Sequence, residues 1–281
     1  MRKHTTAAAL AAVSALTLAA CSSATPGETG GEDGGDAAES IKIGIKYDQP
    51  GLGLQEGSDF TGFDVDVARY VAAELGYAED QIEFVETVSA NRETALQNGD
   101  VDMIFATYSI NDERKALVDF AGPYFVAGQD FLVKADDDSI EGPEDLEGKN
   151  LCSVTGSTSA QKIKDEYASG VELVEQPGYA ECMTALESGT VDAVTTDDII
   201  LAGLAANQAD PSAFKVVGNP FSEENYGVGL PKGSDQCEAI NEAITKMIDD
   251  GTWEQLITAN TEGTGYEFNA ELNPPEPAAC A

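Results

Sequence analysis

The sequence predicts an α/β protein of two lobes, on three observations. Segments of strand character alternate with segments of helical period, the alternation runs twice, and a terminal segment remains after the second run. Alternation of this kind implies a largely parallel sheet covered on both faces. The 281 residues, 42% of them apolar, suffice for one large core or two ordinary ones.

The first run opens with IKIGIKY (41–47), in which apolar and polar positions alternate as in a strand; the loop DQPGLGLQEGSD follows. In TGFDVDVARYVAAELG (61–76), Val67, Val71 and Leu75 recur every four residues, so a helix begins near Asp64 and ends at Gly76. On a helix Asp64 and Asp66 lie about 200° apart. They therefore do not form a catalytic carboxylate pair. Asp64 is the N-cap candidate and Asp66 a first-turn acid with Arg69 in reach at i+3. Gly62 permits the turn and Phe63 packs beneath the helix start. QIEFVE and VDMIFAT continue as strands, NRETALQNG and NDERKALVD as helices.

The second run follows GPYFVAGQDFLVKADDDS. Its strands are KNLCSV, VELVEQ and VDAVTT, and its helices STSAQKIKDEYAS, YAECMTALESG and DDIILAGLAANQ. ADDDS lacks the ligand spacing and central glycine of a calcium loop and is expected to be a solvated turn. FKVVGN, NYGVGLPKGS, a helix from about Asp235 to Ile248 and a shorter one through Trp253 complete the core. FNAELNPPEPAACA is expected to be irregular. Two such units suggest two lobes whose strand ends face a shared cleft, the usual ligand position in open α/β sheets.

Residues 1–20 combine a basic start, a short apolar run and small residues before Cys21, as in a signal peptide. LAAC (18–21) resembles the bacterial lipobox, which implies cleavage and acylation at Cys21. Residues 21–40 read as an acidic tether, placing the protein on the extracellular face of the cytoplasmic membrane. Loss of Arg2 and Lys3 with the signal leaves 13 of the 15 basic residues against 51 acidic ones, a formal charge of −38. Nucleic acid is excluded as a partner. Only Arg69, Arg92 and Arg114 remain as arginines, so each calls for an assignment. Cys152, Cys182, Cys237 and Cys280 are expected as two disulfides in an oxidising compartment. The favoured pairing is Cys152 with Cys182 and Cys237 with Cys280, because each pair falls within one segment. The only histidine, His4, leaves with the signal and no CxxC pair exists, which argues against zinc, histidine triads and metal cofactors.

GFDVDVARYVAAEL, ALQNGDVDMIFATYSINDERKALVDFAGPYF, EDLEGKNLCSVTGSTSA and NYGVGLPKGS resemble, in order and spacing, extracellular solute-binding proteins of family 3, the amino-acid receptors of ABC importers. The resemblance covers about residues 41–260. KYDQPGLG, SANR and ATYSINDERK are most similar to actinobacterial glutamate-binding lipoproteins. It implies a type II periplasmic-binding-protein fold: lobe one from 41–130 and 224–281, lobe two from 131–223, and hinge strands near GQDFLV and ENYGVG. A monomer delivering its ligand to a permease is implied as well.

An amino-acid ligand needs a planar cation with donors for its carboxylate and an anion for its ammonium. By resemblance, Arg114 and Ser109 bind the α-carboxylate, the Thr107 backbone receives the ammonium, Thr158 donates from a helix start beside Ser157 and Ser159, and Asp197 holds the ammonium. The blander alternatives are a surface ion pair for Arg114 and helix capping for Ser109, Asp197 and Asp198. Lys46 and Arg92 occupy positions facing the ligand side chain, which implies glutamate, with aspartate or glutamine as alternatives. Where the family often stacks an aromatic, this chain has Ser89. An enzyme on the same fold would need cleft carboxylates of perturbed pKa, and no further carboxylate stands out; a ligand sensor is the third reading.

Overall fold

The computed structural model describes residues 40–167 and 169–280; the expected signal peptide, Cys21 and the tether to residue 39 lie outside the described residues. The chain opens with β1 (Ile41–Ile45), then β2 (Asp48–Gln49), β3 (Gly53–Glu56) and β4 (Asp59–Thr61). These last three form an antiparallel meander where a loop was expected. Strands this short show no alternation in sequence, and backbone pairing alone defines them. Next come α1 (Phe63–Glu74), β5 (Ile82–Glu86), α2 (Arg92–Asn98), β6 (Met103–Phe105), α3 (Asp112–Lys115) and β7 (Asp119–Ala127). Then follow β8 (Gln129–Lys134), β9 (Asn150–Val154), α4 (Thr158–Glu166), β10 (Glu172–Gln176), α5 (Tyr179–Ser188), β11 (Ala193–Asp197), α6 (Asp198–Ala206) and β12 (Phe214–Val216). Last are β13 (Glu224–Leu230), α7 (Cys237–Asp249) and α8 (Thr252–Thr261).

Two five-stranded sheets result, ordered β5-β1-β6-β13-β7 and β10-β9-β11-β8-β12. In each, the first two pairings are parallel and the last two antiparallel, so a single strand, β13 or β8, runs against the other four and the sheets are mixed where largely parallel ones were expected. The antiparallel strands next to the parallel sets, β13 and β8, are those that arrive from the other sheet. A strand entering by crossover is free of the βαβ unit that forces parallel pairing. The chain crosses at Gly128 and returns between Val216 and Glu224, so Gln129 and Asp130 already stand in the second sheet.

Phe63 lies beneath the start of α1, as expected, with Trp253 at 6.0 Å and Phe125 at 5.8 Å. Trp253 also donates to Tyr124 O at 2.7 Å. Cys152–Cys182 ties β9 to α5, and Cys237–Cys280 ties α7 to the tail. The tail is irregular but strapped down: the Asn273 amide pairs with both N and O of Val126, and Ala278 N donates to Gly122 O. ADDDS forms a turn, in which Asp137 accepts from Ser139 N and Asp138 pairs with Lys215.

Asp64 departs from its expected role. Helix α1 starts at Phe63, its N-cap is Gly62 at φ 120°, and Asp64 is wholly buried. Its carboxylate accepts from Tyr124 Oη at 2.7 Å and from Thr107 N at 2.8 Å. Asp66 does pair with Arg69, at 3.5 Å. The stripe that places the helix explains the difference: Asp64 precedes Val67 by three residues and Val71 by seven, which puts it on the buried face. Burial, against two hydrogen bonds, raises its pKa from 3.8 to about 6.

A raised carboxylate contributes stability that is complete below pH 3.8 and lost as pH rises through 6. Asp64→Asn keeps an acceptor for Thr107 N–H without the charge. In denaturant unfolding its stability relative to wild type should therefore improve from pH 4 to pH 7, and a constant difference would contradict this. Asp64→Ala strands two buried donors and should cost about 2 kcal/mol or more at either pH.

Candidate functional site in the inter-lobe cleft

The ends of β6, β9 and β11 meet between the lobes. Just past β6 the chain turns at Thr107, whose φ of 46° is the one positive value at a non-glycine among the described residues. Such a conformation persists only where its surroundings hold it. Asp64 takes the Thr107 N–H, and Thr107 Oγ1 bonds to Ala106 O at 2.8 Å and lies against the buried Gln49 amide. The turn directs two carbonyls at Arg92, whose Nη1 donates to Ala106 O at 2.9 Å and Thr107 O at 3.4 Å. The Arg92 guanidinium lies 4.3 Å from the Tyr108 ring.

Arg114 is fixed from its own helix. Asn111, and not Ser109, caps α3 by accepting from Arg114 N at 2.8 Å. The guanidinium donates to Ser109 O at 2.7 Å, pairs with Glu93 at 3.3 Å and lies 5.0 Å from Tyr108. Burial, then the neighbouring Arg92, lowers its pKa to about 10. Arg92 and Arg114 both reach across the cleft to Gly156 O, at 3.3 and 3.1 Å.

The second lobe contributes through helix starts. Ser157 caps α4 by accepting from Ala160 N at 3.0 Å; Thr158 begins the helix with Oγ1 3.4 Å from Ser109 Oγ of the other lobe. Asp197 stands at the N-cap position of α6, but its side chain does not cap. It accepts from Tyr226 Oη at 2.6 Å and Ser159 Oγ at 3.5 Å. Burial, then Glu224, holds its pKa well above the usual carboxylate value. Asp198, the first residue of α6, instead accepts from the neighbouring Ile199 N at 2.8 Å.

Lys46 and Arg92 are not solvated: they are 1% and 2% exposed. Among the described residues Lys46 Nζ has no hydrogen-bond partner, and it lies 5.9 Å from the Tyr179 ring. Burial lowers its pKa from 10.5 to about 8, opposed by Asp48 and reinforced by Arg92. An ammonium so placed is costly unless an anion joins it.

Arg92, Thr107, Thr158 and Asp197 line one small cavity with Ser89, Ser157, Ser159, Tyr179, Thr196 and Ile200. Only about 10 Å³ of it is open to the centre of a water molecule, so an amino acid enters only when the lobes part. Ser109 and Arg114 line the adjoining outer cleft of about 540 Å³, which shares Ser157 and Thr158 with the cavity. Lys46 stands apart from the lining, against Tyr179. Tyr179 supplies an aromatic wall from the opposite lobe, whereas the Ser89 position supplies none.

Sequence reading missed Tyr226, Tyr179, Gly156 and the environment of Asp64. Tyr226 lies in the expected hinge segment, but nothing local to NYGVG pairs it with Asp197. Asp64 and Asp198 have pKa values raised to about 6, but neither lines the cavity or the outer cleft and both are engaged by protein donors.

The pattern of bacterial extracellular solute-binding proteins, family 3, matches residues 41–260. The chain belongs to this family. Over 261 residues it is 47% identical to the glutamate-binding protein GluB of Corynebacterium glutamicum, covering 89% of this chain and 87% of that protein. The glutamine-binding protein GlnH of Bacillus subtilis is 38% identical over 267 residues, or 91% and 96% of the two chains. Among solved structures, an ancestral arginine-binding protein bound to arginine matches at TM-score 0.73 and 35% identity, over 80% of this chain and 98% of that one. The two-lobed type II fold is that of these family members, and among the described residues no helix is long and apolar enough to cross a membrane.

Tyr226→Phe removes a donor from buried Asp197 and disfavours its ionised form. The Asp197 titration, followed by its carboxyl carbon resonance, should move further upward; an unmoved midpoint would contradict the pairing.

Proposed function

We propose that this chain is the glutamate receptor of an ABC importer. The carrying observation is Lys46, an ammonium buried without an acceptor among the described residues, beside a second buried cation, Arg92. A cleft for a neutral side chain has no use for either, whereas a ligand side-chain carboxylate would offset the cost of both. The GluB and GlnH relatives support amino-acid binding and delivery, and GluB supports glutamate. In this reading Arg114, Ser109 and Thr158 bind the α-carboxylate, Thr107 O and Asp197 bind the ammonium, and Lys46 and Arg92 bind the side-chain carboxylate. The lobes, 41–130 with 224–281 and 131–223, close on the ligand about the two crossings.

We read the protein as a binder: the relatives named above are binding proteins, and the reading is supported by Asp64 and Asp197, whose oxygens are all engaged by protein donors. We further propose a monomer held outside the cytoplasmic membrane through acylated Cys21. The intact mass of the mature protein tests the anchor.

Calorimetry should give a glutamate Kd of about 1 μM or tighter, equivalent to roughly −8 kcal/mol. Lys46→Met should weaken glutamate about tenfold to a hundredfold while leaving glutamine nearly unchanged. Arg114→Ala or Asp197→Ala should abolish binding of every amino acid. Heat with glutamine or arginine and none with glutamate would refute the specificity, and undiminished binding in either alanine variant would refute that residue's role.

A further inference from the structure

Helix α5 has Gly178 as its N-cap, which makes no side-chain cap. Its first N–H, that of Tyr179, is satisfied from the other lobe: Asp48 Oδ2 in β2 accepts it at 2.8 Å. A Cβ on Gly178 would lie 2.7 Å from that same oxygen, so the glycine keeps open the place a capping side chain would fill. Two residues on, a Cβ on Gly203 of α6 would lie 2.1 Å from Pro50 O. Neither glycine has a positive φ, so backbone conformation does not require them. Both instead admit the β2–β3 turn of lobe one, Gly178 against the start of α5 and Gly203 against the middle of α6.

We infer that Asp48 is the closure latch of the receptor, capping α5 in trans when the lobes meet, with Gly178 and Gly203 as its seats. A carboxylate at a helix start gains from both the hydrogen bond and the dipole. Both are lost on opening, when α5 has only water for a cap. Among the described residues Asp48 reaches the cavity lining by its hydrogen bond to Tyr179 N, and its charge also favours the Lys46 ammonium; Gly203, which brings no such charge, isolates the effect on how long the cleft stays shut. The inference rests on the proposed reading of the cleft as an amino-acid site.

Stopped-flow fluorescence with glutamate tests it on the whole chain. Asp48→Ala should raise the dissociation rate about tenfold or more and leave the association rate within about twofold, since capture precedes closure. Asp48→Asn retains an acceptor for Tyr179 N–H and should recover part of the loss. Gly203→Ala places a favoured helix residue in α6, so its ligand-free melting temperature should not fall, yet its dissociation should also quicken. Dissociation within twofold of wild type in both Asp48→Ala and Gly203→Ala would overturn the latch. If wild type fails to bind glutamate or any other amino acid, the functional reading fails and small-angle scattering decides the latch separately. A larger radius of gyration for ligand-free Gly203→Ala and Asp48→Ala than for wild type supports it, and equal radii overturn it.

Discussion

The cleft is organised by the cost of burying positive charge. Lys46, Arg92 and Arg114 are each less than 8% exposed in a chain whose formal charge is −36, yet among the described residues only Arg114 of the three has a carboxylate within ion-pair distance. The acidity lies elsewhere. Most of it faces solvent, where screening over about 8 Å prevents it from compensating buried cations. The guanidiniums are instead solvated by the carbonyls of Ala106, Thr107, Ser109 and Gly156. Backbone dipoles can support a planar, weakly hydrated guanidinium in this way, but Lys46 has none within reach. Among the described residues Arg92 also keeps one buried nitrogen, Nε, without a partner, but the Lys46 ammonium carries the larger unrelieved cost, visible as a pKa pulled down to about 8.

Three of the groups proposed to bind the ligand are in turn held by neighbouring side chains. Asp64 of α1 fixes Thr107 in its unusual conformation, and Thr107 presents its carbonyl to Arg92. Asn111 sets the start of α3 and thereby Arg114, while Tyr226 of β13 orients Asp197 of β11. Tyr226 lies on the strand by which the chain returns to the first sheet. The group assigned to the ligand ammonium is therefore tied to the segment about which the lobes move. Folding and binding share these contacts, which is why an apparently structural aspartate belongs to the site at one remove.

Much of this was legible in sequence where the signal is periodic or local. Strand alternation and helical stripes located β1, α1, α5 and α6, and the division into segments indicated the cysteine pairs. The meander β2–β4 was not legible, since two to four residues are too few for a period to show. Asp64 was half legible. Its spacing to Val67 and Val71 marked a buried acid, but the N-cap rule, which applies to exposed helix starts, pointed elsewhere. Lys46 and Arg92 were found through resemblance, whereas their burial depends on the opposite lobe covering them. Tyr226 with Asp197, and Asp48 with Tyr179, are contacts across 29 and 131 residues of chain, which no local pattern encodes.

The central claim, that Lys46 awaits a ligand carboxylate, makes proton uptake the direct measurement. At pH 8 about half of a group with this pKa is deprotonated, and a bound side-chain carboxylate would restore its proton. Calorimetric titrations at pH 8 in buffers of different ionisation enthalpy should show glutamate taking up about half a proton more than glutamine, which shares its α-ammonium. Equal proton uptake for the two ligands, with both bound, would contradict the account.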